Sequence, residues 1–242
     1  MSLLSNARTN PKTAKHLDTF KYEAVIQHLT PDKLADGHHT VCPWSTPGCR
    51  ASCLNTSGHG QIKGKLKTST LEMYYVHRAR IGKTLSFFND RKAYLAKLVK
   101  ELHNLEDRAF KKGYSPVARL NGTSDIRWEQ YLNMSDFPTI QFYDYTKGYI
   151  RMHRWLDGEM PSNYHLTYSR SERDTPAHVT AIFNREANVA VVFRNELPTT
   201  YLGIPVISGM DHDFRFRDPD GCIVGLLAKG RAKKDTTGFV VG

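Results

Sequence analysis

The chain has 242 residues, of which 40% are hydrophobic and 24% charged, and this balance excludes an intrinsically disordered protein. It contains no run of about 18 apolar residues, as a membrane helix needs, and its polar start lacks the apolar core of a secretory signal. The net charge of +10 favours an anionic partner, either a small molecule or a nucleic acid. We therefore expect a protein that is not secreted and has no contact with a membrane.

The first third of the chain predicts one strand and one unusual loop. Residues 1–19 are polar and are expected to be flexible. Residues 20–29 alternate apolar and polar side chains, which predicts a strand, although a short helix fits as well. Residues 38–64 are rich in Cys, Gly, Pro, Ser and Thr, so we expect an ordered loop. This loop has too few apolar residues to pack unaided, and a bound metal group would organise it.

The remainder of the chain predicts an α/β protein. Helical patterns occupy residues 68–80 and 89–111, the second with Asp90 as its N-cap, and the apolar stretch 84–88 between them predicts a strand. Later apolar segments that end in polar residues predict strands at 116–120, 139–143, 165–168, 188–193 and 200–207. Strands alternating with helices indicate a single domain, a partial or small (β/α) barrel of about six strands. Functional loops are expected at the carboxyl ends of those strands.

Three of the four cysteines lie within twelve residues of the chain: Cys42, Cys49 and Cys53. In a chain without a secretory signal, such clustering favours metal or redox chemistry over a disulfide framework. Thiolates suit both iron–sulfur clusters and zinc. Three thiolates on a 4Fe–4S cluster leave one iron for a further ligand or a substrate. The candidates for a fourth protein ligand are His59, His212 and Cys222.

Two alternatives to this cluster stay open at the level of sequence. Zinc bound by three cysteines and one histidine would make the loop a zinc-stabilised binding module. The other alternative is that no metal binds, and that the three cysteines are buried thiols or form an occasional disulfide. Cys222 is flanked by apolar residues, which fits a buried structural thiol as well as a fourth ligand.

Polar residues near the cysteine loop and after one predicted strand are candidates for binding a cofactor. Asn121, Ser124 and Asp125 follow the strand 116–120 and offer an amide, a hydroxyl and a carboxylate. The alternative is that Ser124 or Asp125 caps a helix that begins near residue 126. Arg80 and Lys83 follow the cysteine loop and would bind an anionic ligand or neutralise a negatively charged cluster. A solvated basic end of a helix explains them equally simply.

Two residues are candidates for catalysis. Asp125 offers a carboxylate at the predicted barrel mouth, and His212 stands between Asp211 and Asp213, an arrangement that suits a general base. Nearby arginines make an ion-pair network an equally simple explanation for His212. The loop at 168–172 also carries mixed polar groups that fit a pocket wall.

Several segments together resemble one family. CPWSTPGCRASCLNTSGHG, RARIGKTLSFF, ARLNGTSDIRWE and SGMDHDFRFRDPDGCIVGLLAKGRAKKDTTGFVV are similar to segments of the bacteriophage "gene product eighty-eight" proteins, over residues 38–242. The resemblance implies a viral protein in the cytoplasm of the infected bacterial host. It implies no established reaction.

A more distant resemblance is to the radical S-adenosylmethionine enzymes, in which a strand leads into a three-cysteine loop at the top of a partial barrel. It implies that Cys42, Cys49 and Cys53 bind a 4Fe–4S cluster whose open iron holds S-adenosylmethionine. The spacing here is six then three residues, against three then two in that superfamily. The leading hypothesis is thus a phage iron–sulfur enzyme of radical type. The alternative is a non-enzymatic, cluster-stabilised or redox-sensing protein that binds nucleic acid.

Overall fold

The computed structural model describes residues 2–56, 64–65, 72–73 and 75–242. The strands are β1 (Leu4–Asn6), β2 (Tyr22–Gln27), β3 (Gly64–Lys65), β4 (Glu72–Met73), β5 (Ser115–Arg119), β6 (Gln141–Thr146), β7 (Tyr164–Ser169), β8 (Val189–Phe193), β9 (Thr200–Tyr201), β10 (Ile204–Ser208), β11 (Ile223–Leu227) and β12 (Val240–Val241). The α-helices are α1 (Pro11–Leu17), α2 (Pro47–Ala51), α3 (Tyr75–Asn89), α4 (Arg91–Lys112), α5 (Tyr149–Leu156) and α6 (Pro176–Phe183).

Ten strands form one sheet in the order β1-β2-β5-β6-β7-β8-β11-β10-β9, with β12 beside β8. Neighbours from β2 across to β10 are parallel, whereas β1 and β9 are antiparallel and stand at the two edges. The α/β class is therefore confirmed. The predicted small barrel of about six strands is not, because the sheet has ten strands and stays open between its edge strands.

The two faces of the sheet are covered differently, since successive side chains of a strand point to opposite sides. On one face, Val25, Ala118 and Phe142 pack with the buried apolar residues of α4 and α6. On the other face, Ala24, Ile26, Val117 and Tyr143 pack with Leu17 of α1 and with Phe214, which lies in the segment between β10 and β11. Helix α1 and the segment between β10 and β11 thus cover this second face.

The longest helix agrees with its sequence pattern. Helix α4 begins after Asp90, whose side chain accepts a hydrogen bond from the backbone N–H of Ala93 at 3.0 Å, and ends at Gly113 in a left-handed conformation. Its buried residues recur at helical spacing: Tyr94, Leu98, Leu102, Leu105 and Ala109. The N-cap, the apolar stripe and the terminal glycine all fix the helix locally, which is why the sequence predicts it well.

Other elements differ from the sequence-based predictions. Residues 2–19, for which flexibility is predicted, are folded onto the sheet through β1 and α1, and Leu3, Leu4 and Leu17 are buried. The predicted strand 84–88 lies inside α3. Its aromatic side chains, Phe87 and Phe88, pack against the main core from this helix. The predicted helix at 68–80 begins at Tyr75; residues 66–71 and 74 lie outside the described part of the chain.

The carboxyl-terminal part holds strands that the sequence pattern does not resolve. The predicted strand 200–207 is a hairpin of β9 and β10, turned by Leu202 and Gly203 with φ of 53° and 78°. Strands β11 and β12 are not predicted from the sequence. Within the described ranges, no helix combines the length and the apolar character needed to cross a membrane.

Candidate three-cysteine site

Loops from several strands meet at one edge of the sheet, which we call the carboxyl edge. Because β2, β5, β6 and β7 are adjacent and parallel, their carboxyl ends lie side by side. The loop after β2 carries the three cysteines, and residues 121–125, Lys147 and Glu172 follow β5, β6 and β7 respectively. The segment 228–239, which follows β11, completes this edge, and Cys49 packs against the apolar cluster that Ala228, Ala232 and Phe239 form there with Val240.

The three cysteine thiols lie close enough to influence one another's ionisation. All are partly buried and none forms a disulfide. Burial is the largest cause that raises the pKa of each thiol, that of Cys42 to about 12, and the charges of Cys53 and Cys49 raise the pKa of Cys42 further. Burial thus favours the neutral thiol at each cysteine. A bound metal cation would favour the thiolate instead, because metals bind the thiolate form.

Backbone N–H groups oppose the effect of burial at each sulfur. The N–H of Asp32 donates to Cys42 Sγ at 3.3 Å. Hydrogen bonds from the backbone of Thr46 and of Asn55 lower the pKa of Cys49 and of Cys53, against the larger effect of burial. Hydrogen bonds of this kind stabilise thiolates and tune iron–sulfur clusters. The observed backbone donor to a sulfur is thus that of Asp32 to Cys42, and the backbone near Cys49 and Cys53 also favours their thiolate forms.

The short helix α2, which carries Cys49, is pinned at its amino end. Thr46 is its N-cap and accepts a hydrogen bond from the N–H of Cys49 at 3.2 Å. From the loop after β7, Glu172 accepts hydrogen bonds from the Thr46 hydroxyl at 2.7 Å and from the N–H of Gly48 at 2.8 Å. A Cβ at Gly48 would lie 2.3 Å from Thr237 Oγ1 and 2.7 Å from Glu172 Oε2. A larger residue at this position would have to displace these side chains.

Trp44 fixes the other side of the cysteine loop. Its ring lies against Gly148 at the start of α5, where an added Cβ would stand 2.8 Å from the ring. It also lies 5.9 Å from the guanidinium of Arg151. The cysteine loop is thus held by the loops that follow β6 and β7. Its position is therefore set by where these two strands end in the sheet.

Asp125, a predicted catalytic and cofactor-binding residue, lies at this edge, and its side chain and backbone N–H both form hydrogen bonds within the protein. Its carboxylate accepts hydrogen bonds from Arg151 at 3.0 Å and from the backbone N–H of Lys147 at 2.8 Å. Its own N–H donates to the carbonyl of Val41 at 2.8 Å, beside Cys42. Burial raises the pKa of Asp125, and the charge of Arg151 opposes this. The residue joins the β5, β6 and cysteine loops, and catalysis by it stays a prediction.

Asn121 and Ser124, predicted to bind a cofactor, shape the loop after β5. Asn121 Oδ1 accepts hydrogen bonds from the Ser124 hydroxyl, from the N–H of Ile126 and from the indole of Trp128, at 2.8, 2.9 and 3.2 Å. Its Nδ2 donates to Asp144 Oδ2 at 3.1 Å. No helix begins near Ile126; a 3-10 turn starts at Trp128. These partners are all internal to the protein.

Two basic groups lie close to the cysteines. Arg80, a predicted cofactor-binding residue, donates to Asn55 Oδ1 beside Cys53; burial lowers the pKa of Arg80 and the charge of Cys53 opposes this. Lys147, which the sequence analysis did not single out, donates to Ser169 Oγ at 2.7 Å. Burial lowers its pKa, and the charge of Cys49 is the largest effect that raises it. The only sequence signal for Lys147 was its place after a predicted strand.

The other predicted residues are not brought to the cysteines. Lys83 donates to the carbonyl of Leu3 at 2.8 Å and so holds β1. His212 contacts the rings of His16 and Phe20, which precede β2 and therefore lie at its amino end. Cys222 precedes β11 and donates to the carbonyl of Pro219 at 3.2 Å, which places it at the opposite edge of the sheet from the cysteine loop. His59 lies outside the described residues.

Among the described residues, no group of three or more His, Cys, Asp or Glu side chains is close enough to hold a single metal ion. The fold and this edge define a class: an open, mostly parallel α/β sheet with a three-cysteine loop at the carboxyl ends of its strands. The chain belongs to the bacteriophage Gene product 88 family, whose model matches residues 2–242. This match confirms the family that its sequence motifs indicate.

No curated protein and no solved structure matches the chain significantly. The distant resemblance to radical S-adenosylmethionine enzymes therefore finds no support in these comparisons.

Proposed function

We propose that the protein binds a 4Fe–4S cluster through Cys42, Cys49 and Cys53, with one iron open to a cofactor or substrate. The observation that carries the proposal is the placement of the three thiols: they share one loop at the carboxyl edge, all are partly buried, none forms a disulfide, and Cys42 Sγ accepts a backbone hydrogen bond from Asp32. Soft thiolates with N–H donors are the environment that such clusters require. The cluster would supply redox chemistry or a Lewis-acidic iron.

The charges around the cysteines also fit this cluster. Its thiolate ligands add negative charge, and Arg80 and Lys147 stand beside Cys53 and Cys49 respectively. Each cysteine of a cubane binds a different iron, so the sulfurs stand farther apart than the ligands of one ion. A single zinc ion instead needs four ligands gathered around one point. No such group occurs in the part of the chain that the structure describes.

Anaerobic purification and reconstitution with iron and sulfide tests the metal. We expect brown protein with a broad visible absorption band and about four irons per chain. Cys42→Ala, Cys49→Ala and Cys53→Ala are expected to lose most of the iron. Cys222→Ala is the matched control and should retain it, because that thiol lies at the other edge of the sheet. Colourless protein with one zinc per chain, or equal iron in all four variants, would overturn the proposal.

A second measurement tests the open iron. S-adenosylmethionine added to the reduced protein is expected to change the electron paramagnetic resonance spectrum if it binds the iron that no cysteine holds. An unchanged spectrum and uncleaved S-adenosylmethionine would reject the radical type of enzyme while leaving the cluster itself in place. The two parts of the proposal are therefore tested separately.

A further inference from the structure

A strongly basic turn borders the cysteine site. After β11, the chain forms a 3-10 turn at Gly230–Lys234 that contacts the turn Leu54–Thr56, directly after Cys53. Four exposed cations lie within six residues: Lys229, Arg231, Lys233 and Lys234. We call residues 229–234 the basic strap. The strap places its positive charges at the carboxyl edge of the sheet.

The backbone of the strap is fixed by its neighbours. Ala232 is buried within it. Arg194 donates to the carbonyl oxygens of Lys233 at 3.0 Å and of Asp235 at 2.9 Å. The carboxylate of Asp235 turns inward and accepts hydrogen bonds from Thr237 and Val240 at 2.8 and 3.0 Å. Asp235, the acidic residue that directly follows the strap in sequence, is thus used internally, and the four cations are exposed on an ordered support.

Within the part of the chain that the structure describes, nothing neutralises the four cations. None of their side chains forms an ion pair or hydrogen bond with another described residue. Two cations at the end of α4 are instead paired: Arg108 and Lys112 both contact Glu23, at 3.3 and 2.7 Å. The strap also carries no exposed apolar side chain, since its one apolar residue, Ala232, is buried. The strap itself therefore offers charge without an apolar anchor, and the adjoining turn exposes a single large apolar side chain, Leu54.

We propose that the basic strap binds the phosphate backbone of a nucleic acid, which would bring a strand beside the three-cysteine site. Closely spaced, unpaired cations match a polymer with regularly repeated anions, and binding gains from the release of its counterions. A protein partner would need an apolar or aromatic centre to its interface, and insertion into a membrane surface would need apolar side chains. The strap has neither. The inference does not depend on the cluster.

The test compares two variants that remove the same charge from different places. The strap variant combines Lys229→Gln, Arg231→Gln, Lys233→Gln and Lys234→Gln. The control variant combines Lys15→Gln, Lys92→Gln, Lys100→Gln and Lys111→Gln, four exposed positions on α1 and α4. Both variants change the net charge by four. Circular dichroism melting confirms that both are folded, and a difference in binding then reports the location of the charge.

Fluorescence anisotropy with single-stranded DNA, duplex DNA and RNA at two salt concentrations gives the affinities. Four phosphate contacts would cost on the order of 100-fold in affinity between about 50 and 200 mM salt. We expect the full chain to show this salt dependence, and the strap variant to bind at least about tenfold more weakly with a shallower dependence on salt. The control variant should bind as the unchanged protein does.

Equal weakening of both variants, or no binding by the unchanged protein, would overturn the proposal. Tighter binding to phosphatidylglycerol vesicles than to any nucleic acid would also overturn it, because the strap would then be a site for lipid headgroups. Cys53→Ala protein, measured in parallel, should bind nucleic acid normally. That result separates this inference from the proposed cluster.

Discussion

Gly48→Ala tests whether the strand-end loops hold the cysteine helix in place. Gly48 is not among the glycines with positive φ, so alanine is allowed there by its backbone and the cost of the change is steric. The new Cβ would stand 2.3 Å from Thr237 Oγ1, 2.7 Å from Glu172 Oε2 and 2.8 Å from Phe239 Cβ. Three neighbours from two different segments would have to move.

The size of the effect follows from two opposing contributions. An extra methyl group in a filled site costs about 1–3 kcal/mol through displaced neighbours. Replacing glycine by alanine inside a helix returns about 0.5–1 kcal/mol, because the unfolded chain loses freedom. We expect the free energy of unfolding to fall by about 1–2 kcal/mol, and iron incorporation to fall with it, because Cys49 is the next residue.

Urea unfolding followed by circular dichroism measures the stability, and iron content after reconstitution measures the site. Thr237→Ala in the Gly48→Ala background removes the nearest clashing atom and should restore part of the loss. An unfolding midpoint equal to that of the unchanged protein for Gly48→Ala would refute the reasoning. Independent, additive effects of the two changes would refute it as well.

Three further outcomes are expected. Glu172→Gln weakens the charge-assisted bonds from Thr46 and Gly48 and should lower the free energy of unfolding in urea by about 1–2 kcal/mol, while the exposed control Glu159→Gln changes it by less than about 0.5 kcal/mol. Lys147→Met should make the reduction potential of a reconstituted cluster more negative, since a cation beside Cys49 favours the reduced form; an unchanged potential in voltammetry contradicts this. Burial lowers the pKa of His165 to about 4, below its usual 6.5, so its contribution to stability is lost as the pH falls through this interval. His165→Gln should flatten the pH dependence of unfolding there by up to about 1.4 kcal/mol per pH unit, and identical slopes would count against it.

The parts of the fold that the sequence predicts are those fixed by local pattern. Helix α4 carries its cap and apolar stripe within one stretch of chain, and parallel strands such as β5, β6 and β8 read as short apolar runs. Closure of a barrel depends instead on how edge strands pair, and β1 and β9 end the sheet at positions that no local pattern reveals. The run at 84–88 shows the same limit, because a short apolar segment fits a buried strand and a buried helix equally.

The candidate site divides in the same way. Three close cysteines are visible in the sequence, and so are the polar residues that follow β5. Glu172 and Lys147 are not distinguished from many other charged residues, because their roles depend on contacts such as that from Gly48 to Glu172, 124 positions away. The direction of the strands explains why Cys222 is separated from the other cysteines. Cys222 lies before β11 and the other three lie after β2, and these strands run the same way, so the two positions are at opposite edges of the sheet.

The anchoring of α2 has a consequence for engineering. Residues that hold the cysteine helix come from the loop after β7 and from Thr237 and Phe239, so almost the whole fold must form before the loop reaches its geometry. The segment 38–56 is therefore not an autonomous metal-binding peptide that can be transplanted, as a zinc finger can. A chimera would have to carry the neighbouring strands with it, and a synthetic peptide of this segment should bind iron–sulfur clusters far more weakly than the intact chain.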